Sequence, residues 1–268
     1  AGSQGGAEAF GVPVFALCGA LAFGINWAVF VHAYRAQTER YFDLTGSVTY
    51  ITLLSVALVL VGEPDPRAWL LAAIGIVWAG RLGRFLFARI RRDGSDGRFD
   101  RLKPSLPRFA MTWTLQGLWV FLTLSCALAA MTTASPAPLG AMAWLGLAIW
   151  TLGFGIEVVA DRQKSAFRAE EANRGRFIQG GLWSWSRHPN YFGEITLWLG
   201  VAVIALPALQ GWQYVTLVSP VFVAVLLTRI SGVPLLEARS DARWGGQPDY
   251  EAYKARTPVL VPRPPAAT

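Results

Sequence analysis

The sequence predicts an all-α integral membrane protein with seven transmembrane helices. Three observations lead to this: 53% of the 268 residues are hydrophobic, only 15% are charged, and the apolar residues fall into runs of spanning length. A soluble domain carries about a quarter charged residues, and a helix needs about 20 apolar residues to cross a bilayer. A disordered chain is excluded too, because it would combine low hydrophobicity with high net charge.

Seven apolar runs are separated by gaps that hold Pro and Gly, as in 62–66 and 135–138. The runs are 12–33, 47–61, 69–90, 109–131, 139–160, 191–208 and 214–230. We expect a single domain over residues 1–268, with loops at 91–108 and 161–190 and a tail at 231–268. Residues 1–10, which lack a starting Met, are expected to be disordered or extraneous to the fold.

The basic residues alternate between the gaps. Lys and Arg are frequent in 91–108, 161–190 and the tail, whereas the opposite gaps 62–68, 132–138 and 209–213 contain one basic residue, Arg67. Cytoplasmic loops of membrane proteins carry an excess of Lys and Arg. The alternation therefore predicts an amino end outside and a carboxyl end in the cytoplasm, which requires an odd number of spans.

The net charge of +7 does not indicate a nucleic-acid partner, because the charge lies between apolar runs rather than on one soluble face. Cys18 and Cys126 both lie in apolar runs, so no disulfide framework is expected. His32 and His188 are far apart in sequence and have no neighbouring cysteines, which argues against a metal site.

Four polar residues near the ends of spans are candidates for function. Glu157 and Asp161 lie one turn apart, as do Asn190 and Glu194. The connecting stretch is rich in Arg, and its Gly180-Gly181 pair would let the backbone approach a ligand closely. A basic cytoplasmic pocket for an anionic cofactor and a lipidic substrate fits these residues. An ordinary basic loop anchored by interfacial aromatic residues also fits, and the residues alone leave both open.

The run at 181–194, Gly-Leu-Trp-Ser-Trp-Ser-Arg-His-Pro-Asn-Tyr-Phe-Gly-Glu, resembles the signature of the steroid 5α-reductase family. It is most similar to a bacterial branch catalogued as a domain of unknown function. The segments 153–163 and 234–262 resemble the same branch, so the similarity covers the carboxyl-terminal half. Sterol C14-reductases and isoprenylcysteine carboxyl methyltransferases share versions of the central RHPNY.

The resemblance implies a seven-helix membrane reductase that uses NADPH. It assigns cofactor contacts to Asp161, Arg168, Asn190 and Glu194, where the spacing matches the family without gaps. Further cofactor-binding candidates are Arg92, Arg98, Glu157, Arg176, Trp183, His188, Tyr191, Glu237, Tyr250 and Tyr253.

The implied reaction reduces the C4–C5 double bond of a 3-oxo-Δ4-steroid or a similar lipidic enone. Hydride is added to the β-carbon, and a hydrogen-bond donor stabilises the negative charge on the ketone oxygen. The family supplies this donor with a Gln-Glu pair in span 2 and a tyrosine in span 3, which this sequence lacks. Asp43 and Tyr50 are the nearest substitutes and are the catalytic candidates, although Tyr50 could equally be an interfacial aromatic residue.

Two other enzymes and one non-enzyme class stay open. The RHPNY core also suits a membrane methyltransferase of the isoprenylcysteine type that uses S-adenosylmethionine, or a sterol C14-reductase-like enzyme. The many arginines favour a phosphorylated dinucleotide over a methyl donor with one carboxylate. A scaffold or transporter would not explain the polar residues at one membrane face. We expect a bacterial inner-membrane enzyme with its cofactor site in the cytoplasm and no obligate protein partner.

Overall fold

A computed structural model describes residues 1–265 and is nearly all-helical. Within the described residues, seven helices are long and apolar enough to cross a membrane. The predicted fold class is therefore confirmed. The orientation of the two ends stays a prediction.

Six of the predicted spans correspond to single α-helices. These are α1 (Val14–Arg35), α2 (Phe42–Val61), α3 (Pro66–Asp93), α4 (Leu106–Met131), α5 (Ala141–Ala169) and α6 (Pro189–Ala205). Helix α2 begins five residues before the predicted run, and α5 continues nine residues beyond it. The extra turns are polar, so hydropathy alone does not reveal them.

The seventh span is interrupted. It consists of a 3-10 segment at Gly211–Leu217, α7 at Val218–Val225 and a π-helical turn at Leu226–Ile230. Beyond it, α8 covers Val233–Trp244 and α9 covers Pro248–Arg256. The predicted tail 231–268 is thus partly helical.

Proline begins several of these helices. Pro66, Pro189 and Pro248 are the first residues of α3, α6 and α9. Proline is favoured there because the first helical N–H has no partner within the helix. In α3 the side chain of Asp65 also accepts a hydrogen bond from Ala68 N at 2.7 Å, which caps the helix.

The chain forms two compact units. The first contains residues 1–144 and 202–219, and the second contains 145–201 and 220–268. The first unit is built on the packing of α1 to α4. One of its cores is aromatic, with Phe99, Phe109 and Trp113 buried around Ala33.

Residues 1–13 belong to the first unit and form hydrogen bonds within it. Strands β1 (Glu8–Ala9) and β2 (Val12–Pro13) form a short antiparallel hairpin. Ala7 N donates to Thr132 O at 2.6 Å. The Gln4 side chain accepts from Trp212 N at 2.7 Å, and Gln213 donates to Gln4 O at 2.8 Å.

Candidate functional site

Glycines bring α5 and α6 into backbone contact in the second unit. A Cβ on Gly153 would lie 2.5 Å from Leu197 N, and one on Gly200 would lie 2.6 Å from Gly146 O. A Cβ on Gly193 would lie 2.7 Å from Glu157 N. Real Cβ atoms do not approach so closely, so only glycine permits this crossing. The spacing of seven residues on each helix keeps these glycines on one face.

The crossing brings together the polar residues predicted at the ends of these helices. Asn190 Nδ2 donates to Asp161 Oδ1 at 3.3 Å, so two of the principal candidates are in contact. Asp161 and Glu157 are both buried, one turn apart on α5. Glu194 lies one turn beyond Asn190 on α6. Buried carboxylates and amides at the end of a membrane helix typically mark a functional site.

The second unit also contains a cavity of about 300 Å³, whose lining comes wholly from that unit. Asp161, Asn190 and Glu194 are not among its lining residues. Seven predicted cofactor residues line it: Arg168, Arg176, Trp183, His188, Glu237, Tyr250 and Tyr253. Trp183 connects the cavity to α5, because its indole N–H donates to Ala160 O at 3.1 Å, next to Asp161.

The cavity is strongly basic. Its lining includes the side chains of Lys164, Arg168, Arg176, Arg187, Arg239 and Arg243. Glu237 is the single carboxylate among the lining residues. Guanidinium groups match phosphate and carboxylate oxygens, so this donor set fits a polyanionic ligand.

His188 and Arg187 share the carboxylate of Glu237. His188 Nε2 lies 2.7 Å from Glu237 Oε1, and Arg187 Nη1 lies 2.9 Å from Glu237 Oε2. Burial lowers the pKa of His188, against the opposing effect of its bond to Glu237, so the imidazole is neutral near pH 7. His188 Nδ1 and Arg187 Nε are buried without a hydrogen-bond partner among the described residues. Buried polar atoms of this kind normally have partners, so the residues present fit a ligand with polar groups.

Aromatic residues form another wall. Phe177 packs against Trp244, Tyr250 and Tyr253, with ring centroids 5.2 to 5.8 Å apart. Tyr250 OH donates to Asp241 Oδ1 at 3.1 Å. Burial and this hydrogen bond raise the pKa of Tyr250 to about 12, so the phenol stays protonated. Helix α9 is attached by Tyr253 OH, which donates to Trp183 O at 2.8 Å.

The segment after α9 binds back along residues 185–187. Arg187 N donates to Pro258 O, and Arg263 N donates to Trp185 O, both at 2.9 Å. The fully buried Ser186 donates through Oγ to Leu260 O at 2.8 Å. The tail thereby fixes the backbone immediately before His188.

Gly180 and Gly181 line a second cavity, and their close approach to a ligand stays a prediction. Gly181 has a φ of +62°, a conformation that favours glycine. The space beside it is taken by Gln163, whose Oε1 accepts from Leu182 N at 2.9 Å. The second cavity, of about 730 Å³, shares Arg176, Phe177 and Trp244 with the first.

The remaining candidates belong to the first unit. Arg92 lies in the last turn of α3, and Arg98 Nε donates to Asp96 Oδ2 at 2.7 Å. Asp43 forms an ion pair with Arg89 at 3.2 Å. Tyr50 is buried with its ring edge-on to Trp78, at a centroid distance of 5.1 Å.

Sequence reasoning did not place Arg187, Arg239 or Arg243 in the site. Leu236, Ser240 and Arg243 recur at helical spacing in α8, as do Arg239 and Arg243, and all line the cavity. This periodicity in the tail is the signal that could have found them. His188 and Tyr191, predicted together, stack with ring centroids 5.7 Å apart, which connects the cavity wall to α6.

Comparison with known proteins gives two curated relatives. An uncharacterized protein of Schizosaccharomyces pombe, C594.04c, is 25% identical over 176 residues, which cover 54% of this chain and 51% of that protein. The bovine (Bos taurus) 3-oxo-5-alpha-steroid 4-dehydrogenase 1 is 26% identical over 117 residues, 44% of this chain and 40% of that protein. The chain thus spans about half or less of the length of these relatives.

No solved structure matches the chain. The bovine relative confirms the resemblance to steroid 5α-reductases that residues 181–194 predicted, as a distant relationship. A family model described as a protein of unknown function, DUF1295, matches residues 29–257. This range includes all the helices from α2 to α9 and all the residues that line the first cavity. The chain therefore belongs to the DUF1295 family.

Proposed function

We propose that this protein is a membrane reductase that uses NADPH to reduce the carbon–carbon double bond of a lipidic enone, such as a 3-oxo-Δ4-steroid. The observation that carries the proposal is the cavity in the second unit, which presents six cationic side chains and one carboxylate. A phosphorylated dinucleotide has a pyrophosphate and a 2′-phosphate, so its charge complements this lining. S-adenosylmethionine has one carboxylate and a positively charged sulfonium, and the cationic lining suits it less well.

The residues of the second unit would hold the two ends of the cofactor differently. Arg168, Arg176 and Lys164 would bind phosphate oxygens, since they line the cavity and carry fixed positive charge. Asn190 and Glu194, one turn apart on α6, would bind the carboxamide, with Asp161 orienting Asn190 through their hydrogen bond. NADPH, when bound, supplies the hydride for the β-carbon of the enone.

The steroid part of the proposal comes from the bovine relative, whose name specifies a 3-oxo-5-alpha-steroid. In this chain, Asp43 and Tyr50 on α2 would polarise the ketone oxygen. The Tyr50 phenol would donate to the oxygen that gains negative charge, with the Asp43 carboxyl group beside it. The ion pair with Arg89 would hold the Asp43 side chain in place.

Cofactor binding tests the proposal first. NADPH fluorescence is titrated with the full chain in detergent, with Arg168→Ala and with Arg162→Ala. Arg162 is an exposed arginine of the same helix that does not line the cavity, so it is the matched control. We expect Arg168→Ala to weaken binding by about tenfold or more, the loss of one charge-assisted contact, and Arg162→Ala to bind normally. Absence of NADPH binding by the natural chain would overturn the proposal.

Turnover tests the reaction. NADPH oxidation is followed by absorbance with a panel of lipidic enones that includes 3-oxo-Δ4-steroids, and products are identified by mass spectrometry. We expect a product two hydrogens heavier than the substrate, and a strongly reduced rate in Asn190→Ala. If NADPH binds but no enone is reduced, the substrate class is wrong while the cofactor assignment stands.

A further inference from the structure

Two of the cavity's cations lie together on α8. Arg239 and Arg243 are exposed, lie one turn apart and line the cavity together with Ser240 between them. Among residues 1–265, neither guanidinium is paired with a carboxylate. Arg187 is the opposite case, because its charge is already engaged by Glu237.

The surroundings of these arginines are aromatic. The Arg243 guanidinium lies 4.9 Å from the ring centroid of Trp244. Trp244 in turn packs against Phe177 and Tyr250, at centroid distances of 5.8 and 6.0 Å. Aromatic faces provide stacking surfaces for a nucleobase. Uncompensated cations of α8 and a base-stacking surface therefore lie side by side in the lining, whereas Glu237, also on α8, has its charge engaged by His188 and Arg187.

This combination matches one part of a phosphorylated dinucleotide. In NADPH the 2′-phosphate is attached to the ribose that carries the adenine, and it is close to a dianion at pH 7 because its second pKa is near 6. NADH has a neutral hydroxyl at that position. A phosphate monoester gains most from cations that have no other partner, and a serine hydroxyl can add a hydrogen bond.

We propose that Arg239, Ser240 and Arg243 form the subsite for the 2′-phosphate and select NADPH over NADH. The inference rests on the proposed function, since it presupposes that a dinucleotide occupies the cavity. It assigns the choice between the two dinucleotides to α8, while Arg168 and Arg176 contribute to the binding of both.

The test compares the affinities of NADP⁺ and NAD⁺, measured by calorimetry at one ionic strength with the full chain in detergent. The natural chain is compared with a double variant, which combines Arg239→Gln and Arg243→Gln, and with a control variant, Arg174→Gln. Arg174 is an exposed arginine that lines neither cavity, and its substitution removes a charge close to Arg176. We expect the double variant to bind NADP⁺ on the order of tenfold or more weakly, with less than a twofold change for NAD⁺.

Retained NAD⁺ binding also shows that the double variant is folded. Equally weakened binding of NADP⁺ and NAD⁺ would overturn the inference, because the two arginines would then attract any anion without recognising the 2′-phosphate. Unchanged NADP⁺ binding would overturn it as well. If the natural chain binds neither dinucleotide, the proposed function is wrong and so is the subsite. This result is distinguishable from the two outcomes above, in which the natural chain binds a dinucleotide.

Discussion

His188 Nε2 lies 2.7 Å from Glu237 Oε1, although the two residues are 49 positions apart in the chain. The contact joins the start of α6 to α8, and the second oxygen of Glu237 engages Arg187. Because the ionised carboxylate accepts from Nε2, the proton of the neutral imidazole is on Nε2, and Nδ1 is a hydrogen-bond acceptor. The pair therefore fixes both the position and the tautomer of His188 in the cavity wall.

The first prediction concerns stability at acid pH. The pKa of His188 is lowered in the folded chain by burial, so the unfolded chain binds more protons as the pH falls below the ordinary value of about 6.5. The contribution of His188 to stability is therefore present above that pH and is lost as the pH falls. We expect the thermal unfolding midpoint of the natural chain to fall more steeply between about pH 7.5 and 5.5 than that of His188→Gln. Parallel pH profiles for the two proteins would contradict the prediction.

The second prediction concerns the crossing of α5 and α6. Gly153→Ala would place a Cβ about 2.5 Å from a backbone atom of α6, so the helices must separate, at a cost of about 1–3 kcal/mol. Gly155→Ala, two residues away on the same helix, is the matched control, since its Cβ would meet nothing within 4 Å. We expect a lower thermal unfolding midpoint and weaker NADPH binding for Gly153→Ala alone. Equal midpoints for both variants would show that the close contact does not matter.

The third prediction concerns Arg67 in the first unit. Arg67 is only 1% exposed, and its guanidinium donates to Ile204 O, to Pro138 O at 2.7 Å and to Ala137 O. Arg67→Leu would leave these carbonyls without their donor, and an unsatisfied buried acceptor costs about 1–3 kcal/mol. We expect a clear loss of thermal stability, whereas Arg40→Ala, at an exposed position, changes stability by less than about 0.5 kcal/mol. A tolerated Arg67→Leu would refute the structural role.

The fourth prediction concerns the basic loop after α3. The buried carboxylate of Glu39 accepts from Asp96 N and from Lys103 Nζ, both at 2.7 Å, and the bond with Glu39 raises the pKa of Lys103. Glu39→Ala removes both attachments, so residues 94–104 should open more often. We expect faster tryptic cleavage in this loop, measured by mass spectrometry of the fragments. Glu63→Ala, at an exposed position, is the control and should cleave at the natural rate.

Hydropathy was sufficient to locate the spans because crossing a bilayer imposes a length and an apolar composition on each helix. It could not locate α8 and α9, whose residues are polar and meet the cavity only through periodic contacts such as those of Glu237 and Arg243. The family motif pointed to Asp161 and Asn190, which the structure brings together. The motif could not predict the structural roles of Arg67 and Glu39. Their hydrogen-bond partners are distant in sequence, and several of these partners are backbone atoms.

In the tail after α9, the position of the prolines limits which residue can donate a backbone hydrogen bond to Trp185 O. Positions 262, 264 and 265 are prolines, which have no amide hydrogen, so Arg263 carries the one backbone donor in that stretch, and Trp185 O receives it. Sliding the tail by one residue in either direction would bring a proline opposite Trp185. Pro262 and Pro264 therefore exclude a slip of one residue in either direction, although their nitrogens donate no hydrogen bond.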